Sequence, residues 1–132
     1  MKTTDREQMP FNVGVLSVVK HDYLPRAIAA HPRFNLSFVT DEISRPQWTH
    51  ERNQKFADEF EIPYIKDIDK ALSENKIDAV AVSPEAERHC DLAVIAAEAG
   101  LHIVIDKPLS TKLTECDRLI DAIERNKVTC LV

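Results

Sequence analysis

The sequence predicts a doubly wound α/β domain, a mostly parallel sheet held between two layers of helices, and three observations lead there. Short apolar runs of strand length alternate with helix-length segments from Phe11 to Val132. The runs are apolar without strict polar alternation, as expected of strands covered on both faces. The joints are short, so successive parallel strands require right-handed crossovers through the helices between them.

Phe11–Ser17 (FNVGVLS) is the first strand. Leu24–His31 follows as a helix, with Pro25 tolerated in its first turn and Asp22 placed to cap it. Phe34–Asp41 is a second strand and ends in a carboxylate. Thr49–Phe60 reads as a polar helix with Phe56 and Phe60 on one face. A short strand near Pro63–Ile65 leads into a helix at Ile68–Glu74, where Ile68, Ala71 and Leu72 share a face. Ala79–Val82 (AVAV) is a compact buried strand, and Ser83-Pro84 opens a helix that turns Leu92, Ala93, Ala96 and Ala97 inward. That helix runs to Ala99 and stops at Gly100. His102–Ile105 (HIVI) is the next strand. The helix Thr114–Asn126 is expected to bury Leu113, Cys116, Ile120 and Ile123, before a last strand at Val128–Val132.

Composition narrows the function. The 132 residues suit one domain, placed here at residues 11–132 behind a loose arm at 1–10. A net charge of -5, with dispersed Lys and Arg, argues against nucleic acid or an anionic membrane as partner. No apolar run approaches the roughly 20 residues that cross a bilayer, and MKTTDREQMP lacks the apolar core of a signal peptide. Cys90, Cys116 and Cys130 form no CxxC pair and read as reduced thiols of a cytoplasmic protein. No His/Cys/Asp/Glu set has metal-ligand spacing. The apolar ending VTCLV leads to the expectation of a further domain beyond residue 132.

In open sheets of this kind ligands bind beyond the carboxyl ends of the strands, where the strand order reverses. That singles out Ser17–Asp22, Asp41–Arg45, Ser83–His89 and Asp106–Leu109. Asp41, 24 residues past Ser17, can accept both hydroxyls of an adenosine ribose and repel an added phosphate, which favours NAD over NADP. It can equally be a solvated turn residue beside Glu42. The run Ser17-Val18-Val19-Lys20-His21-Asp22 stands where a G-x-G-x-x-G phosphate loop belongs, and it has no glycine. A valine at positive φ costs about 1–2 kcal/mol. Either the loop takes another path, with Lys20 or His21 holding a phosphate, or tight cofactor binding has been lost; Lys20 and His21 can equally be solvated loop residues. Lys107, in Asp106-Lys107-Pro108 straight after a strand, can hold a substrate hydroxyl and help move its proton; it can also be a solvent-facing turn lysine. Ser83 and Pro84 fit the edge of a cleft, while His89 sits in the second turn of its helix, where packing is the commoner role. His31, His50 and His102 look structural.

From Asn12 to Val132 the chain resembles the N-terminal domain of the glucose–fructose oxidoreductase / inositol dehydrogenase (Gfo/Idh/MocA-like) family. The phrase Phe38-Val39-Thr40-Asp41, the run Ala57–Leu72 (ADEFEIPYIKDIDKAL) and the stretch Ile77–Leu109 carry the resemblance. It implies a Rossmann-like three-layer sandwich, NAD as cofactor and a sugar or polyol-like substrate. It makes Lys107 the catalytic candidate beside the nicotinamide, with Asp106 standing where the family has Glu. It places Asp41 at the ribose, and Ser83, Pro84, His89 and Pro108 around the nicotinamide end of the cleft. Ser17, Val18, Val19, Lys20 and His21 take the place of the family's glycine-rich loop. Family members carry a second α/β domain that supplies the substrate pocket, a catalytic Asp/His pair and most oligomer contacts. The expectation is therefore a homo-oligomeric oxidoreductase whose first domain is inactive alone. A non-catalytic member, serving as sensor or assembly domain, and a different α/β nucleotide or sugar-phosphate binder stay open.

Overall fold

Strands without a polar face must be covered twice, and the computed structural model, which describes residues 9–132, covers them so. The arm expected over residues 1–10 lies outside the described residues except for Met9 and Pro10. The elements are β1 (Phe11–Val18), α1 (Tyr23–Ala30), β2 (Phe34–Thr40), α2 (Gln47–Glu59), β3 (Tyr64–Ile65) and α3 (Ile68–Glu74). Then follow β4 (Ala79–Ser83), a 3-10 turn (Ala86–Arg88), α4 (His89–Glu98), β5 (His102–Ile105), α5 (Leu113–Asn126) and β6 (Cys130–Leu131). The sheet order is β3-β2-β1-β4-β5-β6 and every pairing is parallel. The chain moves outward from β1 in one direction, then crosses back to start again at β4. The order thus reverses between β1 and β4, and the crevice above that junction is where a doubly wound sheet takes its ligand.

Each face of the sheet has its own core. Val13, Val15 and Val39 pack with Ile28 of α1 and Phe56 of α2. Leu16, Val80 and Ile103 pack on the other side with Ile68 of α3, Leu92 of α4 and Leu119 of α5. Gly14, inside β1, is small because the neighbouring strand demands it: a Cβ there would lie 2.5 Å from Phe38 Cζ. Gly100 ends α4 with φ +77, a left-handed conformation that glycine adopts without a Cβ clash. No helix among the described residues is long and apolar enough to cross a membrane.

Three local expectations are corrected. Asp22 occupies the N-cap of α1, but its carboxylate accepts from Arg26 Nε at 2.8 Å and makes no cap bond. Ser83-Pro84 does not start an α-helix, because the backbone stays extended through Glu85 (φ -62, ψ 147) and only then coils into the 3-10 turn. On α5 the buried side chains are Leu119 and Ala122, whereas Leu113 is 83% and Ile120 48% exposed. Cys116 and Ile123 of the expected stripe are half-buried, so the buried face centres on Leu119 and Ala122, and the helix packs against α4.

Candidate functional site

The left-handed residue at this end of the sheet is Ser17, inside β1 and ahead of the glycine-free loop. Ser17 has φ 65 and is fully buried, and the pairing of β1 with β4 slips between Leu16 and Val18 to accommodate it. A non-glycine residue there carries about 1–2 kcal/mol of strain, and neither Val18 nor Val19 takes a positive φ. Both valines are buried. Val18 donates its amide to Asn53 Oδ1 at 2.8 Å, and the Val19 carbonyl accepts from Arg52 Nη1 at 2.7 Å. Lys20 and His21 are exposed, but the His21 carbonyl accepts from the buried Ser83 hydroxyl at 2.6 Å, which ties the loop to the end of β4. A cavity of about 530 Å³ opens beside the loop, lined by residues 18–23 and by Arg26, Arg52, Lys55 and Glu59 of the adjoining helices.

Asp41 follows β2 and is completely buried. It lies in a network that the sequence reading did not foresee. Arg88 donates to it through Nη1 at 2.8 Å and Nη2 at 3.3 Å, Asn53 Nδ2 donates at 2.9 Å, and the Glu42 amide donates at 2.8 Å. Burial pushes the Asp41 carboxyl upward, but the Arg88 guanidinium, aided by the nearby Ser17 hydroxyl and the Asn53 amide, outweighs it and holds the group below its ordinary value. Burial likewise opposes the charge on Arg88; Asp41 and then Glu85 more than offset that, and its pKa lies above the ordinary arginine value. Arg88 also donates to Glu85 Oε2 at 2.8 Å, Glu42 Oε1 at 3.2 Å and Ser17 Oγ at 3.2 Å. Asn53 extends the network to the Tyr64 hydroxyl at 3.1 Å, and Tyr64 lies 2.6 Å from His50 Nδ1. Burial pushes the Tyr64 phenol up to about 12.

Across the reversal point stands a second group. Asp106 is nearly buried and accepts from the Tyr23 hydroxyl of α1 and from the Lys107 amide at 2.8 Å. The bond to Asp106 raises the Tyr23 phenol above its ordinary range, because losing its proton would set two anions together. The Lys107 side chain is exposed at the carboxyl edge of the sheet, ahead of a cis bond to Pro108. His89 is the first residue of α4 and is buried, with Nδ1 2.6 Å from the Pro108 carbonyl and Nε2 3.1 Å from the Pro84 carbonyl. It bridges the segment that follows β4 to the segment that follows β5. Among the described residues no group of three metal-ligating side chains gathers.

The fold thus brings Ser17, Asp41, Ser83, Pro84, His89, Asp106, Lys107 and Pro108 to one edge of the sheet, with Lys20 and His21 turned to solvent. Sequence reasoning missed Arg88, Asn53 and Tyr23. Asn53 carried a signal, since it shares a helix face with Phe56, Ala57 and Phe60, where a polar residue needs a buried partner. Arg88 carried none for its contact with Asp41, which lies 47 residues away.

A family model described as an oxidoreductase family with an NAD-binding Rossmann fold (Gfo/Idh/MocA) matches residues 13–132. A glycosyl hydrolase family 109 protein of Shewanella sp. (strain W3-18-1) is 33% identical over 61 residues, 46% of this chain and 13% of that protein. A putative dehydrogenase from Bordetella bronchiseptica RB50 superposes with a TM-score of 0.78 at 26% identity, over 92% of this chain and 31% of its own. The WlbA dehydrogenase from Bordetella pertussis, solved with NADH and UDP-GlcNAcA, superposes with a TM-score of 0.77 at 21% identity, over 93% of this chain and 37% of its own. The chain therefore spans about a third of the solved relatives' length. With the strand order, the reversal point and the match over residues 13–132 in agreement, the chain belongs to the Gfo/Idh/MocA oxidoreductase family, whose fold is the NAD-binding Rossmann fold.

Proposed function

We propose that this chain is the NAD-binding domain of an oxidoreductase acting on a hydroxyl-bearing carbon of a sugar, polyol or related compound. The observation that carries the reading is the placement of Lys107. It projects from the carboxyl end of β5, one strand from the reversal point. Its backbone is fixed on both sides, by Asp106 through Tyr23 and by the Pro108 carbonyl through His89.

The residues fit a dinucleotide in three respects. The ends of β1 and β4 lie side by side, Ser17 supplies a left-handed residue near the end of β1, and Asp41 stands at the end of β2. They resist it in one, because Arg88 covers Asp41. When bound, NAD supplies the hydride acceptor at the nicotinamide, chemistry that no side chain provides. In the oxidation direction the neutral amine of Lys107 accepts the hydroxyl proton as the hydride leaves, and in reduction its ammonium returns that proton to the substrate oxygen. Ser83, Pro84 and His89 shape the wall of the cleft next to Lys107. Asp41 receives the ribose hydroxyls, and its charge disfavours a 2′-phosphate, so NAD is preferred over NADP. The sugar class is supported by the relatives: one is named a glycosyl hydrolase, and another is solved with a sugar nucleotide.

The test is Lys107→Met in the full-length protein, assayed with NAD and a panel of sugars and polyols. The expected outcome is a fall in kcat of about 10²–10⁴-fold with NADH affinity unchanged. Retained turnover would remove Lys107 from the chemistry. A second reading, a family member that has lost cofactor binding, is favoured by one observation, the burial of Asp41 beneath Arg88.

A further inference from the structure

A carboxylate accepts about four hydrogen bonds, and Asp41 already receives four, two from Arg88 and one each from Asn53 and the Glu42 amide. A ribose that reaches Asp41 must displace two of them. The Glu42 amide is the next unit of the backbone and cannot leave. Asn53 is held from three sides, by the Val18 amide, Tyr64 and Asp41, on the helix α2. Arg88 differs from both. It stands on a single 3-10 turn, on a long side chain that is 11% exposed, and other acceptors already hold it at Glu85 Oε2 and Glu42 Oε1.

We infer that Arg88 gates the cofactor site: in the free chain it caps Asp41, and it turns onto Glu42 and Glu85 when ribose hydroxyls take its place. The inference rests on the NAD-binding reading above and deepens it. The gate lowers the apparent affinity for NAD by the fraction of molecules in which Arg88 has let go. The guanidinium keeps a carboxylate partner in both states, while Asp41 exchanges its cation for hydroxyl donors. The gate has a mechanical outlet as well. The residue after Arg88 is His89, whose ring touches the carbonyls of Pro84 and Pro108. A shift of the turn at residues 86–88 is thereby passed to the segment that carries Lys107, so ribose binding and lysine placement are coupled through one short stretch of chain.

The experiment compares the intact chain with its Arg88→Gln variant in calorimetric titrations with NADH and, separately, NADPH, each protein first shown to melt cooperatively. The glutamine variant is expected to bind NADH on the order of tenfold tighter than the unaltered chain, with NADPH still disfavoured. Arg88→Lys, which keeps a cation but loses the two-pronged contact, carries the same comparison where the glutamine variant does not fold, with a smaller gain. Equal or weaker NADH binding by the variants overturns the gate. So does NADPH binding that is present in the unaltered chain and lost on substitution, which would make Arg88 a phosphate ligand. Absence of NADH binding from every folded protein overturns the cofactor reading itself, and the gate with it.

Discussion

Asp41 and Arg88 set the chemistry of the crevice through a balance of opposing effects. Burial of a lone carboxylate is costly, yet Asp41 lies below its ordinary value of 3.8 because the Arg88 pair and its neighbours outweigh burial. A carboxylate whose pKa is lowered by folding contributes stability that is complete above its unfolded value and lost as pH falls through the folded one. Arg88→Gln removes the main source of that lowering, so the variant is expected to unfold at higher pH than the unaltered chain in an acid titration followed by circular dichroism. Coincident acid midpoints would contradict this balance. The two ends of the pair differ in how far the sequence revealed them. Asp41 and Lys107 were legible because a residue's place at the end of a strand follows from the local pattern. Arg88 was not, because its role depends on Asp41, Glu42, Glu85 and Ser17 meeting only after folding. The valine problem in the first loop was half legible. Strain was anticipated there, but the bulge that moves it onto Ser17 depends on pairing between β1 and β4.

Elements that face the sheet differ sharply from those that face water, and α5 shows the contrast on one helix. Leu119 is 1% exposed and packs into the core, while its neighbour Ile120 is 48% exposed. Leu119→Ala is expected to cost about 2–5 kcal/mol through lost burial and the cavity left behind. Ile120→Ser is expected to stay within about 0.5 kcal/mol. Urea denaturation of both variants checks this, and a larger loss at Ile120 than at Leu119 would place the core face where the sequence first suggested. That face was hard to read because Leu113, Cys116, Leu119, Ile120, Ala122 and Ile123 admit two overlapping stripes at helical spacing. The strands were easier. AVAV and HIVI are too short and too apolar for surface helices, and their flanking turn residues bound them. The start of α4 was misjudged because a Ser-Pro step signals a turn but does not say how many residues stay extended after it.

Over the whole molecule, the alternation of strands and helices with short joints left few possible topologies. The crossover rule does the rest, giving a parallel sheet with one reversal of strand order. The parallel sheet brings the four segments that follow β1, β2, β4 and β5 to a single edge. What the rule does not give is the state of the crevice. A doubly wound sheet hosts many functions, and here a buried ion pair stands on the carboxylate at the end of β2. The family to which residues 13–132 belong has the NAD-binding Rossmann fold. Titration of the intact chain with NADH, set beside NADPH, tests whether this crevice holds it. Saturable one-to-one binding of NADH, with NADPH much weaker, is the predicted result. A folded chain that binds neither, or binds both alike, would contradict the account.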